Sequence, residues 1–227
     1  MPTRIRSLSS SDLALAGVLQ PVLLFGGSFL LGALRPGYEP VRDAISELGE
    51  QGAANAWLWD LGGFGGMALL YALYSVAIRA AFGGGWLFRL VLIQAIASAG
   101  SGLFSCDPGC PPVPQSTSMW GHTISGLTYF AITSVIPFVA WRTFRARTEW
   151  RSLAPVSLGV GVILALLFVI GPTLGPDRVG VWQRIDLAVA YAWQIVVALH
   201  VRATFKRVGV ERMPASLQPD DIVVAER

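Results

Sequence analysis

Six long apolar stretches dominate this sequence and decide what the chain folds into. They cover residues 13–34, 56–81, 86–104, 120–141, 153–171 and 185–205. A helix needs about 20 apolar residues to cross the hydrocarbon core of a bilayer, and a spanning segment has to satisfy its own backbone groups. The sequence therefore predicts an all-α polytopic membrane protein, built as a bundle of six transmembrane helices.

The composition fits this class. Hydrophobic residues make up 53% of the chain and charged residues 14%, whereas soluble domains average about 25% charged residues. The predicted membrane domain covers residues 13–207, between a cytoplasmic N-terminal segment, 1–12, and a disordered cytoplasmic tail, 208–227. The arginines are spread over membrane-flanking loops without interleaved aromatic residues, so the net charge of +3 indicates topology rather than nucleic-acid binding.

Basic residues are distributed unevenly between the two sets of loops. One set carries only Arg35, Arg42, Arg178 and Arg184. The other set carries Arg4, Arg6, Arg79, Arg89, Arg142, Arg145, Arg147, Arg151, Arg202, Lys206, Arg207 and Arg212. Because cytoplasmic loops are enriched in arginine and lysine, we expect a multi-pass protein of the plasma membrane with both termini in the cytoplasm.

The first outer loop contains the segment EPVRDAISELGEQG, which predicts a short helix lying at the membrane surface. Pro40 fits the first turn of this helix, and Gly49 fits its end. Its apolar side holds Val41, Ala44, Ile45 and Leu48, and its polar side holds Arg42, Asp43, Ser46, Glu47 and Glu50. The polar side either meets water or turns towards the mouth of the bundle.

Ionisable groups also lie at the outward ends of the other spans. They are Asp60 in span two, Asp107 after span three, His122 in span four, and Arg184 with Asp186 in span six. Ionisable residues inside a span boundary usually face the bundle interior or a water-filled cavity. The sequence thus predicts either one shared site or a set of interfacial salt bridges in which Arg184 pairs with Asp186 or Glu47.

In the shared-site interpretation, the candidate catalytic residues are Glu47, Asp43 and His122. Glu47 or Asp43 is the acid or base, with a pKa raised by burial, and His122 is the second proton-transfer group. Arg184 holds an anionic part of the substrate, such as a phosphate. The other candidate substrate-binding residues are Ser46, Asp60, Asp107 and Asp186.

The two cysteines, Cys106 and Cys110, lie in the sequence CDPGC of the second outer loop. Asp-Pro-Gly strongly favours a turn, and this compartment is oxidising for a plasma-membrane protein, so we favour a local disulfide. A metal site that adds Asp107 and His122, or redox chemistry at the cysteine pair, is less favoured. No cofactor is predicted: no metal, because the spacing of these residues matches zinc patterns only loosely, and no haem, since His122 and His200 lie near opposite surfaces and cannot both bind one iron.

The middle of the bundle has few polar side chains. Gln20, Gln94 and Gln194 each lie near the middle of a span, where they predict hydrogen bonds between helices. Trp193 either fills the core or lines a pocket for an apolar chain. No carboxylate is predicted at the midplane, which argues against a proton-coupled transporter.

Several short segments together resemble the DUF998 family of bacterial and archaeal membrane proteins. They are DAISELG at 43–49, the turn at 104–108, His122 followed by Gly126, and Gln183 with Arg184. The resemblance covers about residues 13–205 and implies six spans, but it implies no biochemical activity. The cysteines of CDPGC depart from the family pattern.

Two functions fit this sequence. One is an enzyme that acts on a membrane lipid or isoprenoid at the outer leaflet by acid–base chemistry, which covers hydrolysis, transfer and acid-triggered cyclisation. The other is a non-catalytic protein that binds such a lipid or serves as an accessory subunit of a membrane complex, with a membrane protein as its partner. The ionisable cluster does not decide between them, because ion-pair networks also perturb pKa values.

Overall fold

The computed structural model describes residues 9–211, and six helices in this range are long and apolar enough to cross a membrane. We number them α1 (Ser10–Leu34), α2 (Leu58–Phe82), α3 (Trp86–Leu103), α4 (Thr117–Arg145), α5 (Leu153–Ile170) and α6 (Val179–Glu211). The predicted fold class is confirmed. Of the two predicted terminal segments, residues 1–8 and 212–227 lie outside the described range.

The six helices form a closed ring in chain order. Each helix packs against the next, and α6 closes the ring against α1. The turns inside this ring follow from local sequence. Gly83 ends α2 with a φ of 85°, a conformation that favours glycine, and the Ser116 hydroxyl accepts from Met119 N to start α4.

Two helices contain π-helical turns, which are rare and often lie at functional sites. In α1 the π turn is Val22–Gly26, directly after Pro21, whose missing N–H interrupts the regular ladder. In α2 the π turn is Leu58–Gly65, and Ser98 of α3 donates to the Phe64 carbonyl within it. The wider turns place Asp60 close to α3.

The predicted surface helix in the first loop is shorter and tighter than expected. A 3₁₀ helix spans Ile45–Gly49, whereas residues 39–43 form a turn. The predicted division into an apolar and a polar side is therefore wrong at Val41 and Asp43. Val41 is exposed, whereas Asp43 is buried, because this turn docks on the neighbouring helix through its backbone.

The sixth helix begins earlier than hydropathy suggests. It starts at Val179, six residues before the predicted start of span six at residue 185, and a 3₁₀ turn Pro176–Arg178 precedes it. Asp186 therefore lies about two turns inside the helix rather than at its end. The polar residues Gln183 and Arg184 lower the local hydropathy, although their side chains form hydrogen bonds with the first loop.

Candidate functional site

The residues predicted to form a site lie at one end of the bundle, beneath two loops. We call this end the capped end; it consists of residues 35–57, 104–116 and 171–184. The N–H groups of Gly180 and Val181 donate to the carbonyls of Arg42 and Val41, at 3.0 and 2.8 Å. Gln51 N donates to the Cys106 carbonyl at 2.9 Å, which joins the two loops. Backbone hydrogen bonds thus hold the loops on the helices.

Arg184 is the main side-chain tie between α6 and the first loop. Its Nη1 donates to the carbonyls of Pro40 (2.6 Å) and Asp43 (3.2 Å), and its Nη2 donates to the Tyr38 hydroxyl (2.7 Å). Gly180 permits this close approach, since a Cβ there would overlap the same two carbonyl oxygens.

The predicted salt bridge from Arg184 to Asp186 or Glu47 does not form among the described residues. Both terminal nitrogens of Arg184 already bind protein oxygens. The guanidinium therefore positions the loop.

Asp43 is ionised and fixed by its neighbours. Its carboxylate accepts from Arg42 Nε at 2.6 Å and from Glu39 N at 2.7 Å. Burial is the largest single influence and pushes its pKa up, but the bonds from Arg42 and Glu39 outweigh burial, so the pKa lies below its usual value. A carboxylate held in this way is a poor proton donor.

Glu47 behaves differently from Asp43. Its Oε1 accepts from Ala44 N at 2.7 Å, and Oε2 has no hydrogen-bond partner in the part of the chain that the structure describes. Partial burial raises its pKa above the ordinary value of 4.5, and the negative charges of Asp43 and Glu50 add to this effect. Glu47 is therefore a carboxyl group with increased proton affinity and one free oxygen. Ser46 beside it is half-buried.

A salt bridge that the sequence did not reveal anchors the same segment. Arg35, directly after α1, pairs with Glu50 and also donates to the Glu47 carbonyl. Gly109 N of the second loop donates to the other oxygen of Glu50. In the sequence, the position of Arg35 just beyond a span indicates only topology. Its salt bridge with Glu50 depends on how the first loop folds back towards α1.

Asp107 organises the second loop. Its carboxylate accepts from the Ser116 hydroxyl, from the N–H groups of Gln115 and Ser116, and from Gln51 Nε2. The Ser116 hydroxyl bond is the largest influence on the pKa of Asp107 and holds it below the usual value. Cys106 and Cys110 are joined by a disulfide in the same loop. Within residues 9–211, no three His, Cys, Asp or Glu side chains are grouped as metal ligands.

Asp60 and His122 form a second layer beneath the loop. Oδ2 of Asp60 accepts from the Ser105 hydroxyl at 2.8 Å, whereas Oδ1 is buried without a partner among the described residues and lies against Gly49, where a Cβ would overlap it. Asp60 also interacts electrostatically with His122.

His122 Nδ1 lies 2.8 Å from the Phe104 carbonyl. A carbonyl oxygen only accepts, so Nδ1 carries the proton, and in the neutral ring Nε2 is the acceptor nitrogen.

Asp186 does not belong to the capped end. It lies nearly one turn deeper than Gln183, which accepts from Ile45 N, and its exposed fraction is 1%. Neither carboxyl oxygen has a hydrogen-bond partner within residues 9–211. It interacts electrostatically with Tyr129 of α4.

A ring of three tyrosine hydroxyls, missed from sequence, lies in the interior of the bundle. Tyr71, Tyr129 and Tyr191 come from α2, α4 and α6, with oxygen–oxygen distances of 2.7, 2.8 and 3.2 Å. Each of these three spans contributes one tyrosine at a similar depth. In a chain with many aromatic residues, this pattern predicts contact between the hydroxyls only weakly. We call these three residues the tyrosine ring.

The predicted interhelical bonds of the glutamines are confirmed. Gln94 Nε2 donates to the Thr133 hydroxyl at 2.9 Å. Gln194 Nε2 donates to Gln20 Oε1 at 2.7 Å and to the Gly17 carbonyl at 2.9 Å. Trp193 lines two small cavities between the helices.

A ring of six apolar helices with a polar cap at one end defines an integral membrane protein. The model of the family described as "Protein of unknown function (DUF998)" matches residues 18–200, and the chain belongs to this family. The match includes the first loop, the second loop and the start of α6. Searches of curated proteins and of solved structures found no match to the chain.

Proposed function

We propose that this protein binds a membrane lipid or isoprenoid at the capped end and uses Glu47 for acid–base chemistry on it. The observation that carries this proposal is the carboxyl group of Glu47, which combines a raised pKa with one oxygen free of protein partners. A general acid works best when its pKa lies near the working pH, and burial is the usual means of raising a glutamate towards it.

The other acidic groups of the capped end support this choice by contrast. Asp43 and Asp107 have pKa values below their usual range and accept several hydrogen bonds that fix the loops. Glu50 pairs with Arg35. These groups hold the structure in place, and Glu39 is exposed. Glu47 is therefore the partly buried carboxyl group of the two loops that is suited to proton transfer.

A second proton-transfer group lies in the layer below. Gly49, two residues after Glu47, packs directly on Asp60, which interacts with His122. His122 presents Nε2 as an acceptor, so this pair supplies a base beneath the acid. We assign positioning roles to Arg184 and Asp107, because their polar atoms already bind the loops.

Exposed apolar side chains support a lipid ligand at this end. Val41 and Val113 are exposed in the two loops, and Trp57 is exposed where α2 begins. Tryptophan is enriched at membrane interfaces, where its ring lies at headgroup level. We propose that the capped end faces outwards from the plasma membrane, because the opposite end carries most of the basic residues.

A non-catalytic role is the second candidate, and one observation favours it. Asp43, Glu50, Asp107 and Arg184 all bind other parts of the loops or of α6. Loops held in place by such contacts give a lipid-binding or accessory subunit a stable surface for a membrane protein partner.

The test uses the full chain in nanodiscs made with a bacterial lipid extract supplemented with polyprenyl phosphate. Native mass spectrometry identifies the lipid that stays bound, and chromatography with mass spectrometry follows any change in it over time. The variant is Glu47→Gln. The matched control is Glu39→Gln, which neutralises an exposed carboxylate of the same loop.

An enzyme that uses Glu47 retains the bound lipid in both variants but loses turnover only in Glu47→Gln. Lipid that stays bound and unchanged in all three proteins supports the non-catalytic candidate and overturns the acid–base role. Turnover that survives in Glu47→Gln also overturns that role. If no lipid beyond the nanodisc background stays bound, the acid–base role and the lipid-binding role are both wrong, and only the accessory-subunit role is left.

A further inference from the structure

Two exposed arginines lie at the end of the bundle opposite to the capped end, on either side of the turn that joins α2 to α3. Arg79 lies three residues before the end of α2, and Arg89 lies three residues after the start of α3, so the two have a similar depth. Neither side chain forms a hydrogen bond or a salt bridge with the residues that the structure describes. We call these two residues the arginine pair; its positive charges are available to an anion from outside the chain.

Aromatic rings of α3 lie beside both guanidinium groups. Cζ of Arg79 lies 5.4 Å from the centre of the Phe88 ring, so this side chain of α2 reaches across to α3. Cζ of Arg89 lies 5.4 Å from the centre of the Trp86 ring. Cation–π contacts do not use the N–H groups of a guanidinium, which therefore remain able to donate to phosphate oxygens.

An exposed apolar stripe runs from each member of the arginine pair towards the middle of the bundle. On α2 it consists of Leu69 and Val76, and on α3 it consists of Leu92 and Ile96. Val76 lies three residues before the arginine of its helix, and Leu92 and Ile96 lie three and seven residues after theirs. Residues three, four and seven apart share one face of a helix, so each stripe continues the face that carries its arginine.

We propose that the arginine pair and the two stripes bind one anionic phospholipid of the adjoining leaflet. Its phosphate accepts hydrogen bonds from the two guanidinium groups, and its two acyl chains lie along the stripes of the adjacent helices α2 and α3. Basic residues at the ends of membrane helices attract anionic headgroups. The exposed Trp86 fits the same depth, because tryptophan rings lie at headgroup level.

The charge of this face argues against a second copy of the chain as its occupant. In a two-fold symmetric dimer the same face lies on both sides of the interface, so two arginine pairs would meet. Like charges brought together across an interface oppose association. An anionic lipid supplies the missing negative charge instead. The site lies at the far end of the bundle from Glu47 and does not depend on the role of that residue.

The experiment is native mass spectrometry of the purified full chain, delipidated in mild detergent and titrated with phosphatidylglycerol or phosphatidylcholine of identical acyl chains. The variant combines Arg79→Gln with Arg89→Gln. The matched control combines Arg142→Gln with Arg151→Gln, which removes the same charge from two other exposed arginines at this end of the bundle. Because all four side chains are exposed, both proteins are expected to fold. Glycerol 3-phosphate, which has the phosphate but no acyl chains, is added as a competitor.

We expect the wild type and the control to bind phosphatidylglycerol at least about tenfold more tightly than phosphatidylcholine, since each arginine near an anionic lipid contributes about fivefold. The Arg79/Arg89 variant should lose this preference, and excess glycerol 3-phosphate should displace no lipid.

Four outcomes would overturn the site. Equal affinity of the wild type for both lipids would show that the arginine pair recognises no anionic headgroup. The same loss of preference in the control would show a general effect of net charge. Displacement by glycerol 3-phosphate would assign the arginine pair to a free phosphate compound, and a dimer lost only in the Arg79/Arg89 variant would assign the face to a second copy of the chain.

Discussion

The capped end and the bundle interior treat their polar groups in opposite ways. At the capped end, charged side chains are numerous, and most of them bind loop backbone or one another; Arg184 alone contacts four protein oxygens. In the interior, polar groups are few, yet Asp186 and two glutamine carbonyls retain unused acceptors. A high density of charged side chains therefore does not by itself leave hydrogen-bond acceptors free.

The difference has a physical origin. A loop of irregular backbone exposes many carbonyl and N–H groups that need partners, and charged side chains nearby are the strongest available donors and acceptors. The interior helices satisfy their own backbones and leave side chains as the unmatched groups. Glu47 is an exception among the partly buried carboxyl groups of the first loop, because one of its oxygens has no bond to the described residues.

The largest expected effect on stability concerns the salt bridge between Arg35, directly after α1, and Glu50 of the first loop. Replacing Arg35 by Met leaves Glu50, whose side chain is 11% exposed, without its cation. We expect the free energy of unfolding to fall by about 2–3 kcal/mol, somewhat less than the loss of a partner in a fully buried pair. Denaturant or thermal unfolding in detergent measures the change.

Arg42→Met is the matched control, because Arg42 also pairs with a carboxylate but is half exposed. It should cause a clearly smaller loss. The double variant Arg35→Met with Glu50→Gln should recover part of the stability. Equal losses in Arg35→Met and Arg42→Met would contradict the view that burial separates the two pairs.

A medium effect is expected in the interior. Tyr191→Phe removes one hydroxyl of the tyrosine ring and should lower the free energy of unfolding by about 1 kcal/mol, within the range for polar bonds between membrane helices. Tyr74→Phe is the control, since the buried Tyr74 hydroxyl has no hydrogen bond within residues 9–211. It should be neutral or slightly stabilising. The same loss in both variants would mean that the hydroxyl ring contributes nothing specific.

The smallest expected effect is a pH dependence that separates Glu47 from Asp43. Folding raises the pKa of Glu47, so its contribution to stability is complete below 4.5 and is lost as the pH rises through the folded pKa. Glu47→Gln should therefore match the wild type at low pH and exceed it at neutral pH, by less than about 1 kcal/mol because Glu47 is partly exposed.

Asp43→Asn should show the opposite sign. Folding lowers the pKa of Asp43, so its contribution is present above the ordinary value of 3.8 and is lost as the pH falls through the folded pKa. Unfolding curves at a series of pH values measure both variants. A Glu47→Gln curve parallel to that of the wild type would show that burial does not perturb this carboxyl group.

The fold was predictable to a large extent, and the site much less so. Hydropathy identified all six spans because each is a local sum over about 20 residues. It misplaced the start of α6, where Gly180, Gln183 and Arg184 look like loop residues but bond to the first loop. That error moved Asp186 from the bundle interior to its surface, so the prediction wrongly grouped it with the ionisable residues of the capped end.

The sequence by itself determined the membrane class, the number of helices, the glutamine bonds between them and the gathering of ionisable residues at one end. These depend on composition and on positions along single helices. Only the tertiary structure decided which charges are free, because Arg184 binds backbone carbonyls of the first loop and Glu50 accepts from a backbone N–H of the second loop. A backbone carbonyl is present at every residue, so no sequence pattern shows which one a side chain will reach.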